Sequence, residues 1–133
     1  ISETTAHASV DIRYPVTKDY QWIFETAAKA AAAFGLETTI PNRVDPLYIP
    51  EDQPLIQRLK EAYESATGEP CVLYSTGGGT YARHTNNRAV GFGPEFPGTI
   101  DNHAHNCNEQ ISLENFFTHA QICLEAMYLL FTK

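Results

Sequence analysis

The densest run of chemistry-bearing side chains is Asp101-Asn102-His103-Ala104-His105-Asn106-Cys107-Asn108-Glu109, set in a long loop that leads into a helix-like segment. Loops of this length in compact domains often carry function. A neutral imidazole in it can give zinc one bond at about 2.0–2.1 Å while a carboxylate orients its second nitrogen. The same histidine can equally stand in solvent. Cys107 lies beside the histidines, but no base that would make its thiol a nucleophile accompanies it. A second feature is Ser75-Thr76-Gly77-Gly78-Gly79-Thr80, where a strand-like run enters a glycine turn and a helix is expected to follow. Backbone N–H groups gathered there suit a carboxylate or phosphate, and a merely tight turn is the alternative. The run matches neither of the glycine patterns of nucleotide sites, so nucleotide binding is disfavoured. Arg13 is the third candidate, since a guanidinium can grip a carboxylate through two parallel hydrogen bonds; its other reading is a surface ion pair with Asp11. His84 reads as facing solvent after the glycine loop, His119 as lying on the polar side of the last helix, and His7 as an ordinary strand residue.

These residues need elements to position them. In residues 7–14, Ala8, Val10 and Ile12 alternate with Ser9, Asp11 and Arg13, the period of a half-buried strand that Pro15 ends. Thr17 then caps a helix carrying Ile23, Phe24, Ala27, Ala31 and Phe34, with Gly35 as a left-handed stop and an Ala-rich middle suited to packing on a sheet. Residues 36–40 read as a strand, and Pro41, Pro46 and Pro50 break the chain before a boundary near Pro50. Asp52 and Pro54 start a helix with the stripe Leu55, Leu59, Ala62, Tyr63 and Ala66, closed by Gly68. Residues 71–74 and 89–92 read as short strands. Ser112 caps a last helix with Leu113, Phe116, Phe117, Ala120, Leu124, Met127, Tyr128 and Phe131 along one stripe. Helix and strand alternation after Pro50 predicts a layered α/β core.

Composition narrows the function classes. The 133 residues are 43% hydrophobic and 19% charged, which suits a globular chain of about one domain and excludes disorder. With 9 Lys and Arg against 16 Asp and Glu, the net charge of −7 and the lack of a basic cluster disfavour nucleic acid as a partner. No apolar run approaches the ~20 residues of a membrane helix, and the opening ISETTAHASV lacks both the basic and the hydrophobic parts of a signal peptide. A cytoplasmic chain without a membrane partner is expected. Cys71, Cys107 and Cys123 show no paired spacing and read as reduced thiols. The first residue is Ile1 rather than Met, which suggests a piece of something longer.

Four stretches in order, DIRYP at 11–15, STGGGTYAR at 75–83, AVGFGPEFPG at 89–98 and the HxxNE pattern at 105–109, together resemble one family. It is the co-catalytic zinc peptidase family of carnosinases, aminoacylases and the ArgE/DapE deacylases, nearest its bacterial PepV-like dipeptidase branch. The resemblance covers nearly the whole chain and implies an α/β fold in two parts. Residues 1–48 would be the C-terminal part of a ferredoxin-like α+β lid of the dimerisation type, and 49–133 the C-terminal part of a layered α/β catalytic domain. The resemblance makes His105 a metal ligand, and Arg13 the holder of the substrate's carboxylate. Gly77, Gly78, Gly79 and Thr80 would bind that same end, with Arg83 also on the substrate side.

The cofactor implied is zinc, two ions in the intact parent, with manganese or cobalt as replacements. The implied partners are a dipeptide substrate, the missing N-terminal part of the catalytic domain and a second copy of the chain. In such a parent, metal ions polarise an amide carbonyl and acidify a bridging water while a glutamate moves its proton. That glutamate, the HxD motif, the bridging aspartate and the Glu-Glu pair are missing from this sequence. One histidine cannot satisfy a zinc ion that takes four ligands, so the isolated chain is expected to bind metal weakly and to be inactive. Two alternatives stay open: a non-catalytic lid or dimerisation module pairing through an open strand edge, and a fragment of a related N-acyl amino acid deacylase.

Overall fold

The computed structural model describes residues 5–93, 96 and 102–132. Features expected at 1–4, 94–95, 97–101 and 133, among them Ile1, part of the AVGFGPEFPG stretch and Asp101, lie outside the described residues. Among these described residues the regular elements are three α-helices and one 3₁₀ turn: α1 (Tyr20–Ala32), α2 (Pro54–Thr67), the 3₁₀ turn Tyr81–His84, and α3 (Leu113–Thr132).

Helix α1 starts at Asp19, not at Thr17. The Asp19 carboxylate accepts from the Gln21 N–H at 2.7 Å, an N-cap, whereas Thr17 sits in the preceding turn closed by Lys18 N–H to Pro15 O at 3.0 Å. At the other end Gly35 takes the left-handed conformation (φ 72°), and the Leu36 N–H closes back on Ala31 O at 3.2 Å, as a glycine stop requires. No residue of α1 is buried and it packs on neither of the other helices, so its Ala-rich face meets no sheet among the described residues.

The core lies between α2 and α3. Pro54 opens α2 after Gln53, and the N–H of left-handed Gly68 bonds Glu64 O at 2.9 Å to end it. Ser112 opens α3: its Oγ accepts from Asn115 N–H at 3.1 Å. Leu59 and Ala62 of α2 meet Ala126 and Leu129 of α3, with Leu55, Val90 and Phe92 packed around them. Ile122 is wholly buried. The buried face of α3 is therefore Ile122, Ala126 and Leu129, and the expected stripe is corrected: Phe117, Leu124 and Phe131 are exposed. The reason is that α3 is apolar around most of its circumference, so helical period alone does not choose which side is covered.

The four segments expected as strands, 7–14, 36–40, 71–74 and 89–92, carry no strand pairing among the described residues. A strand exists only where a neighbour completes its ladder, and these four do not pair with one another. Residues 89–92 nonetheless take a defined place, because Val90 and Phe92 lie on the α2–α3 core.

Candidate functional site

The glycine turn and Arg13 meet in space. Arg13 Nη1 donates to Gly77 O at 2.7 Å across 64 residues of sequence. The ion-pair reading of Arg13 holds beside this bond, since Nε and Nη2 face Asp11 Oδ2 at 3.4 and 3.3 Å. That pair is exposed and contributes little by itself; the bond to Gly77 is what ties the N-terminal segment to the loop.

Hydroxyl groups shape the loop itself. Thr76 Oγ1 accepts from Gly78 N–H at 3.1 Å, and Thr80 Oγ1 accepts from Ala82 N–H at 3.2 Å, capping the 3₁₀ turn. Thr85 closes that turn, its Oγ1 donating to Ala82 O at 2.7 Å and accepting from Ala89 N–H at 3.0 Å. Ala82 is buried beneath it. Arg83 thereby folds back over the loop: a Cβ added to Gly79 would stand 2.4 Å from its Nη1 and 2.8 Å from its Cζ. Gly91 supports the other side, where an added Cβ would meet Thr80 Cγ2 at 3.6 Å. The sequence named Gly77, Gly78, Gly79, Thr80 and Arg83 as one group, and the structure brings them together with Arg13.

His105 is exposed, and no hydrogen bond or ion pair joins it to Arg13 or the glycine loop. Its loop is fastened by Gln110 N–H to Asn102 O at 2.9 Å and Asn106 N–H to His103 O at 2.8 Å. His103, His105 and Asn108 all adopt positive φ (54°, 65° and 61°), a conformation uncommon outside glycine and found often at functional turns. Among the described residues no group of three or more His, Cys, Asp or Glu side chains is placed to hold a metal ion. By themselves these residues do not fit a zinc ion, since His105 offers a single donor. His84 is exposed as expected, His7 is exposed in a segment without strand pairing among the described residues, and His119 is half-buried on α3.

Sequence reasoning missed one further cluster. Arg43 Nη2 bonds Asp45 Oδ1 at 2.6 Å, Tyr14 OH donates to the same oxygen at 3.3 Å, and the Arg43 guanidinium lies 4.0 Å from the Tyr20 ring centre. Asp45 holds Arg43 above the ordinary arginine range. The signal available was the arginine and aspartate two residues apart beside Pro46.

Three relatives share most of this chain's sequence span. A "Putative dipeptidase" of Bacillus subtilis (strain 168) is 36% identical over 119 residues, 90% of this chain and 25% of that protein. One of Staphylococcus haemolyticus (strain JCSC1435) is 31% identical over the same shares. One of Staphylococcus aureus (strain USA300) is 30% identical over 127 residues, 96% of this chain and 27% of that protein. The chain is similar to dipeptidase-named proteins along nearly its whole length. It spans about a quarter of the length of these curated relatives. No family model matches the sequence, and no solved structure gives a significant match. Among the described residues no helix is long and apolar enough to cross a membrane.

Proposed function

We propose that the chain is the C-terminal part of a zinc-dependent, cytoplasmic dipeptidase of the carnosinase and PepV-like group, which hydrolyses the amide bond of dipeptides or short peptides. The observation that carries this reading is the bond from Arg13 to Gly77, which brings two sequence motifs 64 residues apart against each other. The dipeptidase-named relatives favour a peptide substrate over an N-acyl amino acid.

In the proposed parent, guanidinium and loop N–H groups hold the substrate's terminal carboxylate and so fix the position of its amide bond. His105 supplies one metal ligand, and the other ligands and the general base come from outside this chain. The α/β fold belongs to the same proposal: residues 1–48 complete a lid, and 49–133 complete a layered catalytic domain whose further strands pair with 71–74 and 89–92. The apolar outer side of α3 suits a helix covered on more than one face.

The test is kinetic. In the complete polypeptide, Arg13→Ala should raise KM for dipeptides by about tenfold or more, the loss of a hydrogen-bonded charge at the binding site. An unchanged KM leaves Arg13 with its contacts to Asp11 and Gly77 and no part in substrate binding.

A further inference from the structure

We infer that Tyr14, Asp45 and Arg43 are positioning residues for Arg13: their cluster anchors the chain beside Arg13 to the start of α1 and so sets where the Arg13 guanidinium stands at the glycine loop. The inference rests on the carboxylate-site reading above. It leaves Arg13 in the role given there and adds three residues from outside that site.

A two-point grip on a carboxylate depends on where the main chain behind the guanidinium is held. The main chain of Asp11, Ile12, Arg13 and Tyr14 makes no hydrogen bond among the described residues, so side chains must do the holding. Tyr14, the residue next to Arg13, is half-buried, and its OH donates to Asp45 Oδ1 at 3.3 Å.

That acceptor is itself fixed. The same Oδ1 takes Arg43 Nε at 3.0 Å and Nη2 at 2.6 Å, and the Arg43 guanidinium lies 4.0 Å from the centre of the Tyr20 ring. Tyr20 stacks in turn on Phe24, one turn further along α1, with ring centres 6.5 Å apart. Asp19 caps the helix there, and Pro15 O closes the turn that leads into it by accepting from Lys18 N–H at 3.0 Å. A lone exposed ion pair would contribute little. Here one carboxylate oxygen gathers three donors from two side chains and an aromatic face holds the guanidinium, the networked arrangement in which exposed charges do contribute. Three separate parts of the N-terminal segment, at 14, 20 and 43–45, are thus tied together one residue from Arg13.

The test uses the complete polypeptide with Asp45→Ala and with the milder Tyr14→Phe, which removes the hydroxyl and keeps the ring. Asp45→Ala should raise KM for Ala-Ala about fivefold and leave kcat within about twofold, with a smaller rise for Tyr14→Phe, as lost alignment without lost chemistry does. In an Arg13→Ala background Asp45→Ala should add nothing, because the cluster acts through that side chain; a merely structural role would cost the same with or without Arg13. With nitrogen-15 at arginine, the Arg13 Nε–H signal should move in both variants before any peptide is added. An equal further loss in the Arg13→Ala background, an unmoved Arg13 signal, or an unchanged KM in Asp45→Ala where Arg13→Ala raises it would each overturn the inference. An unchanged KM in Arg13→Ala itself, or cleavage of no dipeptide at all, is instead the failure of the reading beneath it, and the Arg13 signal then decides the positioning alone.

Discussion

Cys71 is the residue whose chemistry the fold alters most plainly. It lies half-buried just after α2, and its N–H donates to Glu64 Oε1 at 3.0 Å. Burial first, and then the nearby Glu64 charge, push its thiol above the ordinary cysteine value. The reactive form is the thiolate, so raising the pKa lowers reactivity at any pH below it. Iodoacetamide labelling of Cys71 at pH 8 should be slower than that of free cysteine, with its pH midpoint displaced upward; equal rates would refute the burial. Among single residues, Arg13, the glycines, Thr80 and Arg83 stand in short motifs that the sequence shows, whereas the bond from Arg13 to Gly77 that joins two of those motifs does not follow from spacing. The place of Arg83 was not legible either, because a side chain folding back on Gly79 leaves no trace in spacing or period.

At the scale of elements, stops were more legible than faces. Gly35 and Gly68 end their helices in the left-handed conformation that the sequence predicts, with φ of 72° and 73°. Gly68→Ala should destabilise the α2–α3 unit by about 1 kcal/mol, the order of cost of putting a Cβ in that conformation; urea denaturation followed by helical circular dichroism measures it. The face of α3 was not legible, since Phe117, Leu124 and Phe131 look as suited to burial as Ile122, Ala126 and Leu129. Only contact with α2 decides. Ile122 is fully buried, so Ile122→Ala should cost about 2–5 kcal/mol, whereas Phe131→Ala, at a side chain 88% exposed, should change stability little. Equal losses for the two variants would place the wrong face against α2. The expected strands were the least legible part, because strand pairing depends on a neighbour that a segment's own alternation cannot reveal.

For the molecule as a whole, a small core between two helices coexists with large exposed apolar side chains on α1, in the turn after it and on α3, among them Trp22, Phe34, Phe117, Leu124 and Phe131. Apolar surface of that kind drives association. Light scattering on the purified chain should therefore show a mass that rises with concentration, and a strict monomer at high concentration would contradict this. The same surface is what the proposal of a longer parent explains, together with relatives about four times as long as the stretch they share with it. The most direct measurement is turnover of a dipeptide such as Ala-Ala by the complete polypeptide, by its His105→Ala variant, and by the 133-residue chain alone. Hydrolysis is expected from the first and none from the other two. Hydrolysis by the isolated chain, or full activity without His105, would contradict the proposed function.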